Sequence, residues 1–255
     1  MCTVVLLRRP DHPWPIVLGA NRDEMLDRPW RPPARHWADR ADVVAGLDEL
    51  AGGTWMGVND AGVVACILNR HGSLGPAPGK RSRGELVLEA LDHADAVDAA
   101  KALSALDPAA YRPFNLVIAD TRDAWWLALT AAGQETGAGV RAEPIPPGLS
   151  MFTAGDRNDT RDGRIAAYRD AFAAATPPDP TAHDWRTWES LLADRGNGEP
   201  VNAMTFRTPG GFGTSSSSLL ALPSVAAAHG PAKLRPVWRF AAGPPDAAPF
   251  APVAV

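Results

Sequence analysis

Short apolar runs that come in pairs about turn residues are what most limits how this chain can fold. Residues 2–7 are β-branched and apolar, Arg9-Pro10-Asp11-His12-Pro13 is turn chemistry, and residues 15–20 return as a strand. Residues 52–59 and 63–68 form a second pair about Asn59-Asp60-Ala61-Gly62, and residues 115–119 and 124–129 a third about Asp120-Thr121-Arg122-Asp123. Residues 213–222 and 236–240 read as the last strands. Between them lies a helical block. The Ser82-x-x-Glu85 spacing reads as a capping box, with a break near His93 and a restart at Asp95. Thr160 is the expected cap of a helix facing Ile165, Tyr168 and Phe172 inward, and Asp184 of one carrying Trp185, Trp188, Leu191 and Leu192. Hairpins around helices predict an α+β fold with mainly antiparallel sheet. One domain over residues 1–255 is expected. Residues 25–50 read as a long irregular surface connection, and the Pro-rich residues 243–255 as a tail or strap.

Composition removes several function classes. A formal net charge of −4 argues against a nucleic-acid-coating protein. Two cysteines make neither a disulfide scaffold nor a Cys-rich zinc module, and the six scattered histidines show no metal-ligand spacing. No apolar run reaches the roughly 18–20 residues that span a bilayer. A reducing, cytoplasmic location is expected. The excess of Arg over Lys matches the codon bias of a GC-rich, bacterial genome.

The chemistry concentrates at the chain start. A small residue at position 2 allows Met1 to be removed, which leaves Cys2 with a thiol and a free α-amine. An α-amine, with a pKa near 7.7–8.0, can serve as general base for its own side chain. A hairpin of this length brings Asn21-Arg22-Asp23-Glu24 back beside Cys2. There a carboxylate can orient the amine, and an Arg can stabilise a thiolate or bind an anionic group. Asn69, at the end of a buried strand, is a plausible oxyanion donor. The Gly210–Ser218 stretch has neither a phosphate-loop Lys nor a nucleophile elbow, and reads as a strand at a site margin.

These blocks resemble a known family. Cys2-Thr3, Asn21-Arg22-Asp23-Glu24 with Arg28-Pro29, Gly53-Thr54-Trp55-Met56-Gly57, Ser82-Arg83-Gly84-Glu85-Leu86 and residues 114–120 together look like the NRDE family, that of the transport-and-Golgi-organisation protein. That family in turn resembles the cysteine branch of the N-terminal-nucleophile hydrolases, with its bile-salt and penicillin-V acylases. The resemblance implies a four-layer αββα sandwich, with Cys2 as nucleophile, Asp23 orienting its amine and Asn69 in the oxyanion hole. Arg22 joins them as a catalytic candidate, and Asn21, Trp55, Arg70 and Asn158 are candidate substrate-binding residues. The sequence departs from the acylases at Ala20, where they carry Arg, and Arg22 is not its simple equivalent in a strand that alternates faces. Ala154 stands where relatives have Asn, so that either Asn158 replaces it or the second polar partner is absent, and residues 215–218 lack a late Arg. The implied activity is hydrolysis of a non-peptide amide or thioester of a small molecule, with no cofactor and no metal. The alternative is a non-catalytic haem carrier, since relatives of the family are linked to haem movement. Cys2, His36, Met56 and His71 would be its axial candidates.

Overall fold

The computed structural model describes residues 2–196 and 198–255. In chain order its elements are β1 (Thr3–Arg8), β2 (Ile16–Met25), β3 (Trp30–Ala34), β4 (Val43–Asp48), β5 (Met56–Asn59), β6 (Val64–Asn69), α1 (Gly84–Leu91), α2 (Ala96–Ser104), β7 (Phe114–Ala119), β8 (Ala124–Leu129), α3 (Ala131–Thr136), β9 (Arg141–Pro144), β10 (Gly148–Phe152), α4 (Gly163–Ala174), α5 (Arg186–Leu192), β11 (Phe212–Leu222), α6 (Val225–His229), β12 (Val237–Ala241) and β13 (Phe250–Val253). They fall into two compact units, one made of the chain up to Arg28 with Pro147–Ala254, the other of Pro29–Pro146.

The first unit is a six-stranded sheet in the order β10-β1-β2-β11-β12-β13, every neighbour antiparallel. Side chains alternate between its faces. One face, with Val5, Val17, Met151, Leu219 and Ala221, packs against Ile165, Tyr168 and Phe172 of α4 and Trp188 and Leu192 of α5. Gly19 lies under the Trp188 ring, where an added Cβ would come within 3.1 Å. Both helices begin differently from the expectation. Asp162, not Thr160, caps α4, accepting from the Arg164 and Ile165 amides. Asp184 lies two residues before the start of α5, whose N-cap, Trp185, makes no side-chain cap bond. The Pro-rich end is more than a tail, since β13 pairs with β12 and completes the sheet.

The second unit is a seven-stranded meander, β3 to β9 in sequence order. Helices α1 and α2 cover one face, setting Leu86, Val87, Leu91, Ala99 and Leu103 against Val43, Ala65, Leu116, Ile118 and Leu127. The expected irregular connection over residues 25–50 is interrupted by the end of β2 and by all of β3 and β4. Proline is tolerated there because β3 is an edge strand, and the ladder is interrupted between Arg31 and Ala34, around Pro32 and Pro33.

The capping box does not form. The α1 N-cap is Arg83, with no side-chain cap bond, and Glu85 is drawn instead to Arg81, whose Nε donates to it at 2.8 Å. What joins this turn to the sheet is a backbone crossing. The Thr54 amide donates to the Gly84 carbonyl at 3.2 Å, and a Cβ on Gly53 would lie 2.6 Å from the Gly84 carbonyl carbon. Residues 53–55 serve that crossing, so β5 starts only at Met56. Among the described residues no helix is long and apolar enough to cross a membrane.

Candidate active site

Strand pairing fixes the position of Cys2. Thr3 pairs with Asn21, so Cys2 lies against the Arg22-Asp23 end of β2. The Asp23 amide donates to the Cys2 sulfur at 3.4 Å, and the thiol donates to the Asp23 carbonyl at 3.5 Å. Cys2 is half-buried. Burial of the sulfur pushes its pKa above the ordinary thiol value, and the charge of Asp23 pushes it further. The backbone bond from Asp23 and the charge of Arg22 pull it down. The thiol therefore needs a base to become a nucleophile at neutral pH.

The period of two in β2 divides its polar residues between faces. Asn21 and Asp23 point to the helix side with Thr3. Arg22 and Ala20 share the opposite face with Cys2. Arg22 is therefore one pleat along from the acylases' Arg position and on the same face. It is 5% exposed, and its Nη1 donates to Ser215 Oγ at 3.0 Å. Ser215 sits at the register break between Thr214 and Ser216, and its hydroxyl also donates to the Arg22 carbonyl at 3.1 Å. The serine run is thus the strand flanking this site, as its composition predicts.

Asp23 is 2% exposed. Its Oδ2 accepts from Arg164 Nη1 at 2.8 Å and its Oδ1 from the Thr214 hydroxyl at 2.9 Å. The same Nη1 donates to Thr3 Oγ1 at 2.7 Å, Nη2 donates to the Val201 carbonyl at 3.0 Å, and the guanidinium lies 5.3 Å from the Phe206 ring centroid. Arg164 is absent from the sequence-based candidates. Its signal was available: it precedes Tyr168 and Phe172 by four and eight residues, on the buried helix face.

Two of the proposed substrate contacts are instead internal ties. The Asn21 amide donates to the Leu192 and Met204 carbonyls at 2.9 and 2.8 Å and accepts from the Ser217 hydroxyl at 2.6 Å. It faces the core and clamps the end of α5. Asn158, with φ at 57°, accepts from the Met151 amide at 2.7 Å through its side-chain oxygen and closes the turn after β10.

The remaining candidates lie in the second unit. Asn69 ends β6 opposite Phe114, whose ring belongs to the helix-side core. Arg70 Nη1 donates to Asn115 Oδ1 at 2.6 Å, and Trp126 Nε1 donates to the same oxygen at 3.1 Å. Trp55 is half-buried and meets Trp30 edge to face at 5.7 Å. Of the haem-ligand candidates in this unit, Met56 is 1% exposed within β5, the His36 Nε2 lies 2.9 Å from the Pro32 carbonyl oxygen, and His71 is an exposed turn residue. A buried thioether and an engaged imidazole do not fit an open axial position. Among the described residues no group of three or more His, Cys, Asp or Glu is placed to hold a metal ion.

The sequence signature of the family described as Transport and Golgi organisation 2 matches residues 1–152. No curated protein matches the chain. Among solved structures, the chain is similar to a Caenorhabditis elegans orthologue of N-acylethanolamine-hydrolyzing acid amidase, with a TM-score of 0.56 at 14% identity over 86% of this chain and 92% of that one. It is also similar to a Cys-to-Ala mutant of conjugated bile acid hydrolase from Clostridium perfringens, with a TM-score of 0.50 at 11% identity over 100% and 97% of the two chains. A second variant of that hydrolase gives 0.52 at 11% identity with the same coverage. Identities this low carry the fold alone, and that fold is the mainly antiparallel sandwich of the N-terminal-nucleophile hydrolases.

Proposed function

We infer that this chain, which belongs to the Transport and Golgi organisation 2 family, is an N-terminal-nucleophile cysteine hydrolase that cleaves a non-peptide amide or thioester bond of a small molecule. The observation that supports this reading is the seat of the Cys2 sulfur, 3.4 Å from the Asp23 amide at the end of β2 with Arg22 on the same face. The reading requires the loss of Met1, which lies outside the described residues.

With Met1 gone, the α-amine of Cys2 takes the thiol proton, and the sulfur attacks the substrate carbonyl carbon. The tetrahedral oxyanion collapses to an acyl thioester while the ammonium returns its proton to the leaving amine. Water, deprotonated by the same amine, then attacks the thioester. This releases the carboxylic acid and restores the thiol. Arg22 lowers the cost of negative charge on sulfur, and Asp23 orients the ammonium. Asn69 is assigned the oxyanion on the family resemblance, and the Asn69→Ala variant tests it through kcat. No observation on this structure favours haem carriage.

The test has two stages. Intact-mass measurement of the purified protein reads the first residue, and quantitative retention of Met1 overturns the mechanism. A panel of N-acylethanolamines, N-acyl amino-acid conjugates and acyl thioesters is then assayed by product release. Turnover of one class by the native chain, absent in Cys2→Ala, is expected. Equal turnover by both overturns the assignment.

A further inference from the structure

The buried ion pair behind Cys2 has a role that hydrolysis alone does not assign. The Asp23 carboxylate accepts from Arg164 on Oδ2 and from Thr214 on Oδ1, which come from α4 and β11. The Arg164 and Asp23 side chains are 3% and 0% exposed. A pair buried this deeply costs desolvation on both sides, and hydrophobic residues of equal volume would hold α4 to the sheet at least as well. Its geometry is what an apolar substitute cannot supply. Nη1 of Arg164 bridges Asp23 Oδ2 and Thr3 Oγ1, so one cation spans β1 and β2, the two strands that meet at Cys2. The guanidinium is itself fixed by the Val201 carbonyl and the Phe206 ring, and the root of α4 by the Asp162 cap.

We propose that Arg164 is a positioning residue that holds the Asp23 carboxylate, with its charge, in one orientation against the chain start, so that the amine of Cys2 meets a fixed acceptor. This rests on the hydrolase reading for its purpose and on the buried network for its geometry. A carboxylate has about four acceptor sites, so an oxygen that already takes one bond keeps another for an ammonium. Arg164 bonds the Asp23 carboxylate and is not among the charges acting on the Cys2 sulfur, so it acts through the carboxylate rather than on substrate.

The consequence is measurable at the thiol. The charged side chains facing Cys2 are Asp23 and Arg22 from β2. Arg22 also faces Glu24 at 3.9 Å. Arg164 faces Asp23, and Thr214 adds a neutral donor. Asp23 opposes negative charge on the sulfur. A buried carboxylate stripped of its cation does not persist as an unpaired charge in place. In Arg164→Gln its opposition to the thiolate therefore falls.

The experiment is the pH dependence of Cys2 alkylation by iodoacetamide in the full chain, followed by peptide mass, with thermal melting as a parallel readout. Asp23→Asn is expected to move the midpoint to lower pH, Arg164→Gln to move it the same way, and Arg164→Lys to leave it near the native position despite a lowered melting temperature. A merely structural Arg164 lowers the melting temperature and leaves the midpoint in place, which overturns the proposal. Should Arg164→Gln fail to fold, Thr214→Val decides. A smaller shift in the same direction supports the clamp, and an unmoved midpoint overturns it. Alkylation needs no substrate, so an absence of amide turnover would count against the hydrolase reading and leave this result standing.

Discussion

The two units place most of their buried polar groups differently, with Asn115 inside β7 the exception in the second. In the second, buried Thr54, Asn59 and Asp120 stand at or just beyond strand ends. Asn59 donates to the Leu91 and His93 carbonyls and accepts from the Val63 amide, and Asp120 accepts from the Ala96, Arg122 and Asp123 amides. Each one closes a turn or holds a helix. In the first unit, Asn21, Arg22, Asp23 and Thr214 to Ser218 lie buried inside paired strands, where apolar side chains would cost nothing to desolvate. A chain that spends polar groups in the middle of its sheet does so where chemistry requires them. The contrast supports the proposed seat of the chemistry in the first unit, around Cys2.

Five substitutions can break or sharpen that contrast. The largest effect is expected from Cys2→Ala, which removes nucleophile and thiol together. Its kcat should fall by about 10³-fold or more, measured on whichever substrate the native chain turns over. Next comes the buried pair. Removing either partner, as in Arg164→Met or Asp23→Leu, should cost about 3–5 kcal/mol in denaturant unfolding, while the double variant should recover a large part of that loss. Additive single losses would show that the pair is not coupled.

In the second unit, Gly84→Ala should cost about 1–3 kcal/mol, because its Cβ would meet the Thr54 backbone at 3.0 Å, where nothing flexible can yield. A neutral result would mean that the crossing relaxes. The smallest effect is expected from Arg35→Ala. That residue pairs with Asp60 at 2.7 Å, but on side chains 42% and 58% exposed, and the loss should stay below about 1 kcal/mol and vanish in high salt.

Much of this architecture is legible in the sequence because the strands are paired locally. The hairpin of β1 and β2 delivers Asp23 to Cys2 through a short turn, so the end of one run predicts the start of the other. Helices α1 and α2 break where His93 and Asp95 indicate, with Asp95 capping α2. Locality also marks what stays hidden. Arg164 reaches Asp23 across 141 positions, and its charge by itself suggests solvent; its four-residue step to Tyr168 is what marks the buried face. Asn21 looked like a ligand because a terminal Asn beside a nucleophile suggests binding, yet the period of two turns it to the helices and spends its amide there. The Ser82 box failed because Arg81, one residue earlier, competes for Glu85. Edge strand β3 was invisible because its prolines read as loop until the sheet order shows which strand can spare an amide.

The central claim is that a freshly exposed Cys2 carries the acyl group. The most direct measurement is peptide mass mapping of acid-quenched native protein after mixing with a turned-over amide. The account predicts an N-terminal peptide that begins at Cys2 and bears the acyl mass, lost on treatment with hydroxylamine. An N-terminal peptide that retains Met1, or an acyl group found on any other residue, would contradict it.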